Sequence, residues 1–308
     1  MTGERLKSNK KALGNILLIL TAFIWGTAFV GQRQGMEHIG PITFNACRMA
    51  LAALSIGTVS FVLGKRDAKK QQDMSEQNRK DYQKNTVIGG VCCGFFLTIA
   101  ALFQQMGMVY TTAGKGGFIT AMYILLVPVI NWILFRKKSR PLVWIAVLMG
   151  IVGIYLLCVT EGFILEKGDA LVMVCPFFFA GHILCCDFFV QRANPVKMSA
   201  IQFLTVTVLS TILAFVFENP SWQQVTAAVI PIIWLGVLSG GIGYTLQIIA
   251  QQYTDPTVAS LLMSLEAVFA VLAGAVLLGE RMSAREMIGA VIMFAAIILV
   301  QIPARERT

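Results

Sequence analysis

Five ionisable side chains stand inside long apolar stretches of this sequence: Arg48, Lys115, His182, Asp187 and Glu266. A charge in hydrocarbon is costly unless it is partnered, so such residues are functional candidates by default. Glu266 lies near the middle of the stretch 257–279. A carboxylate at that depth could load and release a proton, pair with a coupling cation, or hold a cationic part of a substrate. The alternative is a protonated acid that hydrogen-bonds one helix to another. His182 lies at a similar depth in 168–190. Imidazole changes charge near neutral pH, so it could pass protons to Glu266; the alternative is a neutral ring bonded to a backbone carbonyl. Asp187, nearer the end of that stretch, is placed to reach water. Arg48 and Lys115 could draw an anionic group such as a substrate carboxylate. The alternative is snorkelling of their long chains to the interface, which suits Lys115 better than the deeper Arg48. Trp25, Gln104, Gln105, Phe118, Tyr123, Tyr244 and Gln247 add amides and aromatic faces at middle depths, although any single aromatic more commonly packs in a core or against lipid.

The elements that must position these residues follow from composition. Of 308 residues, 56% are apolar and 13% charged, and the mean hydropathy is +0.72. A soluble domain carries about 25% charged residues, so the bilayer is the solvent that fits this chain, and a soluble enzyme or a disordered chain is excluded. Apolar runs of spanning length fall at 12–32, 41–64, 86–109, 112–135, 141–159, 168–190, 197–217, 228–252, 257–279 and 284–302, about the ~20 residues each that a membrane helix needs. Gly40-Pro41, Asn194-Pro195, Asn219-Pro220 and Asp255-Pro256 punctuate the junctions. The first run is too long for a signal-peptide core and reads as an uncleaved span.

The net charge of +9 comes from 25 Lys+Arg against 16 Asp+Glu. The cations sit between apolar runs rather than in a basic patch, which argues against nucleic acid as partner. One set of alternate connections holds Arg5, Lys7, Lys10 and Lys11, seven cations between 65 and 85, Arg136, Lys137, Lys138 and Arg140, Arg192 and Lys197, and Arg305 and Arg307. The other holds only Arg33, Lys167, Arg281 and Arg285. By the positive-inside rule both termini are cytoplasmic, in a multi-pass protein of a cell membrane, read here as a bacterial inner membrane. The seven cysteines have neither C-x-x-C spacing nor a zinc-like Cys/His pattern, and read as small buried hydrophobes. No metal or cofactor is implied. Walker A, H-E-x-x-H and G-x-S-x-G motifs are absent from the sequence.

The chain also repeats itself. At an offset of 154 residues, Gly14 meets Gly168, Pro41 meets Pro195, and Trp25-Gly26 meets Phe179-Ala180; at 143, Gln104 meets Gln247, Tyr110-Thr111 meets Tyr253-Thr254, and Tyr123 meets Glu266. Two halves, 12–160 and 168–302, then hold five spans each. An odd number inverts the second half relative to the first, as in many secondary transporters. Gly236, Gly240, Gly241 and Gly243 give the eighth span a small-residue face for close packing.

The string Ser264-Leu-Glu266-Ala-Val-Phe, then Leu278-Gly279-Glu280-Arg281-Met-Ser283 and Gly289, resembles the end of an EamA-type permease of the drug/metabolite transporter superfamily. Trp25-Gly26, Pro41 with Arg48, and Thr112-Ala-Gly-Lys115-Gly-Gly-Phe118-Ile-Thr120 with Pro128 are similar to the first-half pattern. The resemblance implies an all-α membrane protein of ten transmembrane helices in two inverted five-helix repeats. It implies a secondary transporter, exporting small organic metabolites such as amino acids or amphipathic compounds by alternating access. Ala267 stands where the family has a proline, which predicts a weaker kink beside Glu266. Rivals are a membrane-embedded enzyme, which would need acid or histidine pairs at a span end, and a channel, which would need a repeated polar ring. Substrate-binding or coupling residues are expected among Trp25, Arg48, Gln104, Lys115, Phe118, Tyr123, His182, Tyr244, Gln247 and Glu266. Partners are the lipid bilayer, the solute and a proton or other coupling ion; the sequence leaves the oligomeric state open.

Overall fold

The computed structural model describes residues 2–63, 72, 74–136, 141–158 and 165–301. The cations between 65 and 70, Lys137, Lys138, Arg140, Arg305 and Arg307 lie outside these residues, as does the connection 159–164. The described residues form helices and no strand. Eight helical segments are long and apolar enough to cross a membrane, and Trp144–Cys158 is a shorter apolar helix.

The chain runs through α1 (Thr2–Gly35), α2 (Pro41–Val62), α3 (Glu76–Met108), α4 (Ala113–Ala121), α5 (Tyr123–Phe135), α6 (Pro141–Cys158), α7 (Lys167–Val172) and α8 (Cys175–Val190). It continues through α9 (Pro195–Phe217), α10 (Trp222–Ala227), α11 (Val229–Trp234), a π-helix (Leu235–Tyr244), α12 (Thr245–Ala250), α13 (Pro256–Met263), α14 (Glu266–Leu278) and α15 (Ala284–Gln301). Prolines open α2, α9 and α13, where a missing N–H costs nothing. Asn194 caps α9 by accepting from the Lys197 N–H, and Thr112 caps α4 by accepting from the Lys115 N–H. Gly279 ends α14 in the left-handed region, at φ 66°.

Two helices exceed the apolar runs that signalled them. Residues 76–85, expected in a charged loop, are the first turns of α3; Ser75 caps them by accepting from the Asn78 N–H. Lys, Glu and Gln are good helix formers, so a helix continues past the apolar boundary.

Three spans are broken instead of continuous. The chain turns at Met122 between α4 and α5, at Met173–Val174 between α7 and α8, and at Ser264–Leu265 between α13 and α14. The last of these turns forms without the family's proline, so the kink does not depend on it. Ser264 Oγ donates back to the Leu261 carbonyl at 2.6 Å, and the Ala267 N–H bonds the Ser264 carbonyl three residues back. Such local bonds compete with the regular ladder and bend the helix.

α2 packs on α9, α6 on α15, and α4 on α14. α1 lies against α14 and the π-helix, and α3 lies against α8 and α9. The glycines of the π-helix permit its approach to α2: a Cβ on Gly236 would lie 2.7 Å from the Arg48 carbonyl oxygen, and one on Gly240 2.9 Å from the Ala52 Cβ. Large apolar side chains face outward, among them Phe61, Phe215, Ile230 and Val276. Water would penalise that belt; lipid does not.

Candidate functional site

A small cavity lies at the centre of the bundle, with about 20 Å³ of space for the centre of a water-sized sphere. Its walls come from α1, α2, α3, α4, α5, α8, α14 and the π-helix. Trp25, Arg48, Gln104, Tyr123, Tyr244 and Glu266, all expected from the sequence, line it. Tyr123 and Glu266 occupy equivalent places, each the first residue of the helix that follows a break. Both side chains line the cavity.

The π-helix sets the opposite wall. Trp25 Nε1 donates to the Ser239 carbonyl at 3.1 Å, and the Trp25 ring stacks at 4.5 Å, tilted 50°, on Tyr244. Gln104 Nε2 donates to Thr120 Oγ1 at 3.1 Å. Arg48 is 2% exposed and donates through Nε and Nη2 to Asn45 Oδ1, at 3.1 and 2.9 Å. Asn45 in turn donates to Ser210 Oγ at 3.0 Å. Among the described residues no carboxylate lies within 4.0 Å of Arg48, so it is neither ion-paired nor snorkelling.

Three cavity-lining groups carry buried polar atoms without a hydrogen bond of regular geometry, Gln32 Oε1, Tyr123 OH and Glu266 Oε1, although Tyr123 and Glu266 are close enough to interact with each other. A buried polar atom left wholly unpaired costs about 1–3 kcal/mol. Native folds satisfy nearly all buried polar groups, so orphans converging on one cavity mark a place for a polar ligand or water.

Four expected residues lie elsewhere. Lys115 is 7% exposed, not snorkelling, and its Nζ is 3.1 Å from Glu286, 3.6 Å from Asp169 and 3.6 Å from Glu166. Phe118 is in the apolar core. His182 sits behind Tyr244, edge-on with ring centres 5.8 Å apart, and its Nε2 is 2.9 Å from Gln202 Oε1. Its partner is thus a side-chain amide rather than a backbone carbonyl, and no contact joins it to Glu266 among the described residues. Gln247 Nε2 donates to Gln251 Oε1 at 3.2 Å, away from the cavity. Gln105, also singled out, is fully buried and donates to Met36 Sδ.

Gln32, Thr120, Phe179 and Ser239 line the cavity and were not anticipated as site residues. Gln32 follows Trp25 by seven residues, on the same helical face. Phe179 is the counterpart of Trp25 at the offset of 154. Both signals were available. Ser239 contributes through a π-helix, which no periodicity announces.

The end of the bundle where α1 meets α2 is clamped by acids, each from the second half of the chain and each gripping the first. Glu218 accepts from the Ile42 and Thr43 N–H groups at 2.9 and 2.8 Å and from Thr43 Oγ1 at 2.6 Å. Glu280 accepts from the Ala113 and Gly114 N–H groups and pairs with Arg33. These are the unsatisfied donors of helix N-termini, where an anion is favoured. The third clamp is Lys115 with Glu286, Asp169 and Glu166. Asp169 is fully buried and also accepts from Thr111 Oγ1. A vestibule of about 340 Å³, on the same measure, opens beside Lys115, Glu280 and Glu286. At the other end, the Asn194 N–H donates to Thr86 Oγ1 at 2.9 Å, a neutral bond between the halves.

Known proteins share this architecture. A solved crystal structure at 16% identity superimposes with a TM-score of 0.66 over 93% of this chain and 95% of its own, a likeness of fold. A relative from Archaeoglobus fulgidus, named an uncharacterized transporter, is 27% identical over 293 residues, 95% of this chain and 87% of its own. The Bacillus subtilis uncharacterized transporter YoaV is 20% identical over 287 residues, 92% of this chain and 94% of its own. The model of the EamA-like transporter family matches twice, over residues 12–159 and 166–302. The chain therefore belongs to the EamA-like transporter family, and it is a membrane transporter of the drug/metabolite transporter superfamily.

Proposed function

We propose that this protein is a secondary transporter that exports small organic solutes, amino acids foremost, by alternating access through the central cavity. Ten spans in two inverted five-helix repeats carry the motion, with both termini cytoplasmic. The reciprocal packing supports that layout. α2 on α9 pairs second spans, α6 on α15 pairs fifth spans, and the fourth span lies on the ninth. The first span on the ninth is mirrored by the sixth on the fourth. Two inverted halves give two end-closed states of similar energy, which alternating access requires.

The observation that carries the substrate class is a buried cation without an acid partner in the same cavity as polar atoms that lack regular hydrogen bonds. Arg48, without an acid partner, offers a fixed cation. Glu266, Gln32 and Tyr123 line the same cavity with polar atoms that lack regular hydrogen bonds. A zwitterion satisfies both sets, and the Trp25–Tyr244 stack offers an apolar face to its side chain. A cavity of about 20 Å³ holds one water, so the acid-clamped conformation is closed around the site. Bound organic ligands need several hundred Å³ (about 300–1,000), and the halves must part to admit one.

A thermal-stability screen of the purified protein against amino acids, amines, carboxylates and amphipathic compounds tests this, since ligand binding raises the unfolding temperature by mass action. Amino acids should stabilise the parent. Arg48→Gln should remove the response to compounds that differ only in their carboxylate. Stabilisation by uncharged amphiphiles alone, unaffected by Arg48→Gln, would refute the assignment.

A further inference from the structure

Two pairs of adjacent cysteines, Cys92-Cys93 in α3 and Cys185-Cys186 in α8, are far apart in sequence. The fold brings one against the other. Cys93 Sγ lies 3.4 Å from Cys185 Sγ and 3.5 Å from Cys186 Sγ. His182, one helical turn before Cys186, places Nε2 at 3.6 Å and Nδ1 at 3.9 Å from Cys186 Sγ. Ligand atoms of Cys93, His182 and Cys186 all lie within 4.8 Å of one another, and all three residues are buried. The reading of every cysteine as a small hydrophobe does not anticipate this cluster.

We infer that Cys93, Cys186 and His182, with Cys185 alongside, form a binding site for Zn(II) that joins the two halves of the transporter. The spacing is that of a tetrahedral site. Zinc bonds sulfur at about 2.3 Å and imidazole nitrogen at about 2.0–2.1 Å, so tetrahedral angles place neighbouring sulfurs about 3.8 Å apart and sulfur and nitrogen about 3.5 Å apart. The Cys93–Cys186 separation of 3.5 Å and the Cys186–His182 separations of 3.6 and 3.9 Å lie near those edges, and the three ligand groups fall within 4.8 Å of one another.

The surroundings supply the orienting shell that zinc histidines have. Gln202 Oε1 can only accept, so its 2.9 Å contact places the proton on His182 Nε2 and leaves Nδ1, 3.9 Å from Cys186 Sγ, with the free lone pair. Gln202 is fully buried, and its Nε2 has no partner.

Charge selects the metal. Zn(II) with the Cys93 and Cys186 thiolates and a neutral His182 imidazole is electrically neutral. Cu(I) on the same two thiolates carries a net negative charge, which is costly in an apolar interior. Binding displaces two protons, one from each thiol, and needs no oxidant or reductant.

The test uses the full-length protein in detergent, reduced, stripped with a chelator, loaded with Zn(II) or Co(II) and desalted. One zinc per chain should remain. Co(II) should show the intense visible bands of tetrahedral cobalt and thiolate-to-metal charge transfer in the near ultraviolet. Cys93→Ser and Cys186→Ser should each lower retained metal to below about one tenth, and Cys158→Ser, whose thiol is buried elsewhere, should not. Gln202→Leu should weaken binding about 10–100-fold, as loss of an orienting partner does. If the serine variants do not fold, the cobalt spectrum of the parent decides. Weak octahedral bands without thiolate charge transfer would overturn the site. So would full zinc retention in Cys93→Ser and Cys186→Ser, or tight Cu(I) uptake without Zn(II).

Discussion

Replacing Lys115 by methionine should open the end of the transporter that it closes. The side chain of Lys115 is 9% exposed and sits among Glu286 at 3.1 Å, Asp169 at 3.6 Å and Glu166 at 3.6 Å. Methionine keeps the length and removes the charge. Glu166 and Glu286 reach water, with side chains 47% and 22% exposed, and lose little. Asp169 is the residue that decides the outcome: it is fully buried, its Oδ2 has no hydrogen bond, and Lys115 is its cation. Stranding one member of a buried ion pair costs about 3–5 kcal/mol. An open end hydrates Asp169 and escapes most of that cost, so the penalty falls on the closed state. At 1.4 kcal/mol per factor of ten, the closed-to-open ratio should fall by about two to three powers of ten. The assay labels Thr120→Cys, in the cavity wall below the clamp, with a membrane-impermeant maleimide in intact cells, read at that position by mass spectrometry. Labelling should accelerate at least tenfold in Lys115→Met, and Asp169→Asn should reverse the gain. An unchanged labelling rate with a lowered unfolding temperature would refute the reasoning, because Lys115 would then hold the fold without gating it.

Three further outcomes follow from particular contacts. A cysteine placed at Ser75 should be labelled by the impermeant reagent only after the cells are opened; labelling from outside would overturn the assigned orientation. Trp25→Phe keeps the ring against Tyr244 but removes the donor to the Ser239 carbonyl, and should cost about 0.5–1.5 kcal/mol in thermal unfolding; no change would mean that this bond does not anchor the π-helix. Gly153→Leu should abolish stable expression, because a Cβ there would lie 2.9 Å from the Gly289 carbonyl oxygen and press α6 away from α15; normal expression and gel-filtration behaviour would show that the contact tolerates separation.

The apolar runs, the turn prolines and Glu266 were legible because each is a local property: a run length, a fixed dihedral, a charge in the wrong medium. The offset of 143 residues also paired Tyr123 with Glu266, and the structure puts both at helix breaks on one cavity. What the sequence hid was non-local. Nothing near Lys115 names Glu286 or Asp169 as partners, so snorkelling looked the better reading. His182 and Gln247 have the right depth but face a layer behind the cavity, since depth fixes height along a helix and not azimuth. The break at Ser264–Leu265 was masked by the missing proline, and the π-helix by glycines that read equally well as a packing face. The cysteine cluster needed two helices from different halves, which spacing rules within one segment cannot see.

We extend the proposed alternating access to coupling: Glu266, which lines the cavity, would be the group that exchanges protons as the cavity opens to each side in turn. Glu266→Gln keeps the size and hydrogen bonding of the neutral acid and cannot titrate. The decisive measurement compares parent and variant in proteoliposomes with radiolabelled amino acids, under an imposed pH gradient and then in exchange without one. The account predicts that the variant folds normally and exchanges amino acid across the membrane, but fails to accumulate it in response to the gradient. Accumulation with an unchanged pH dependence in Glu266→Gln would contradict it, and would leave Glu266 as a hydrogen-bonding strut between helices.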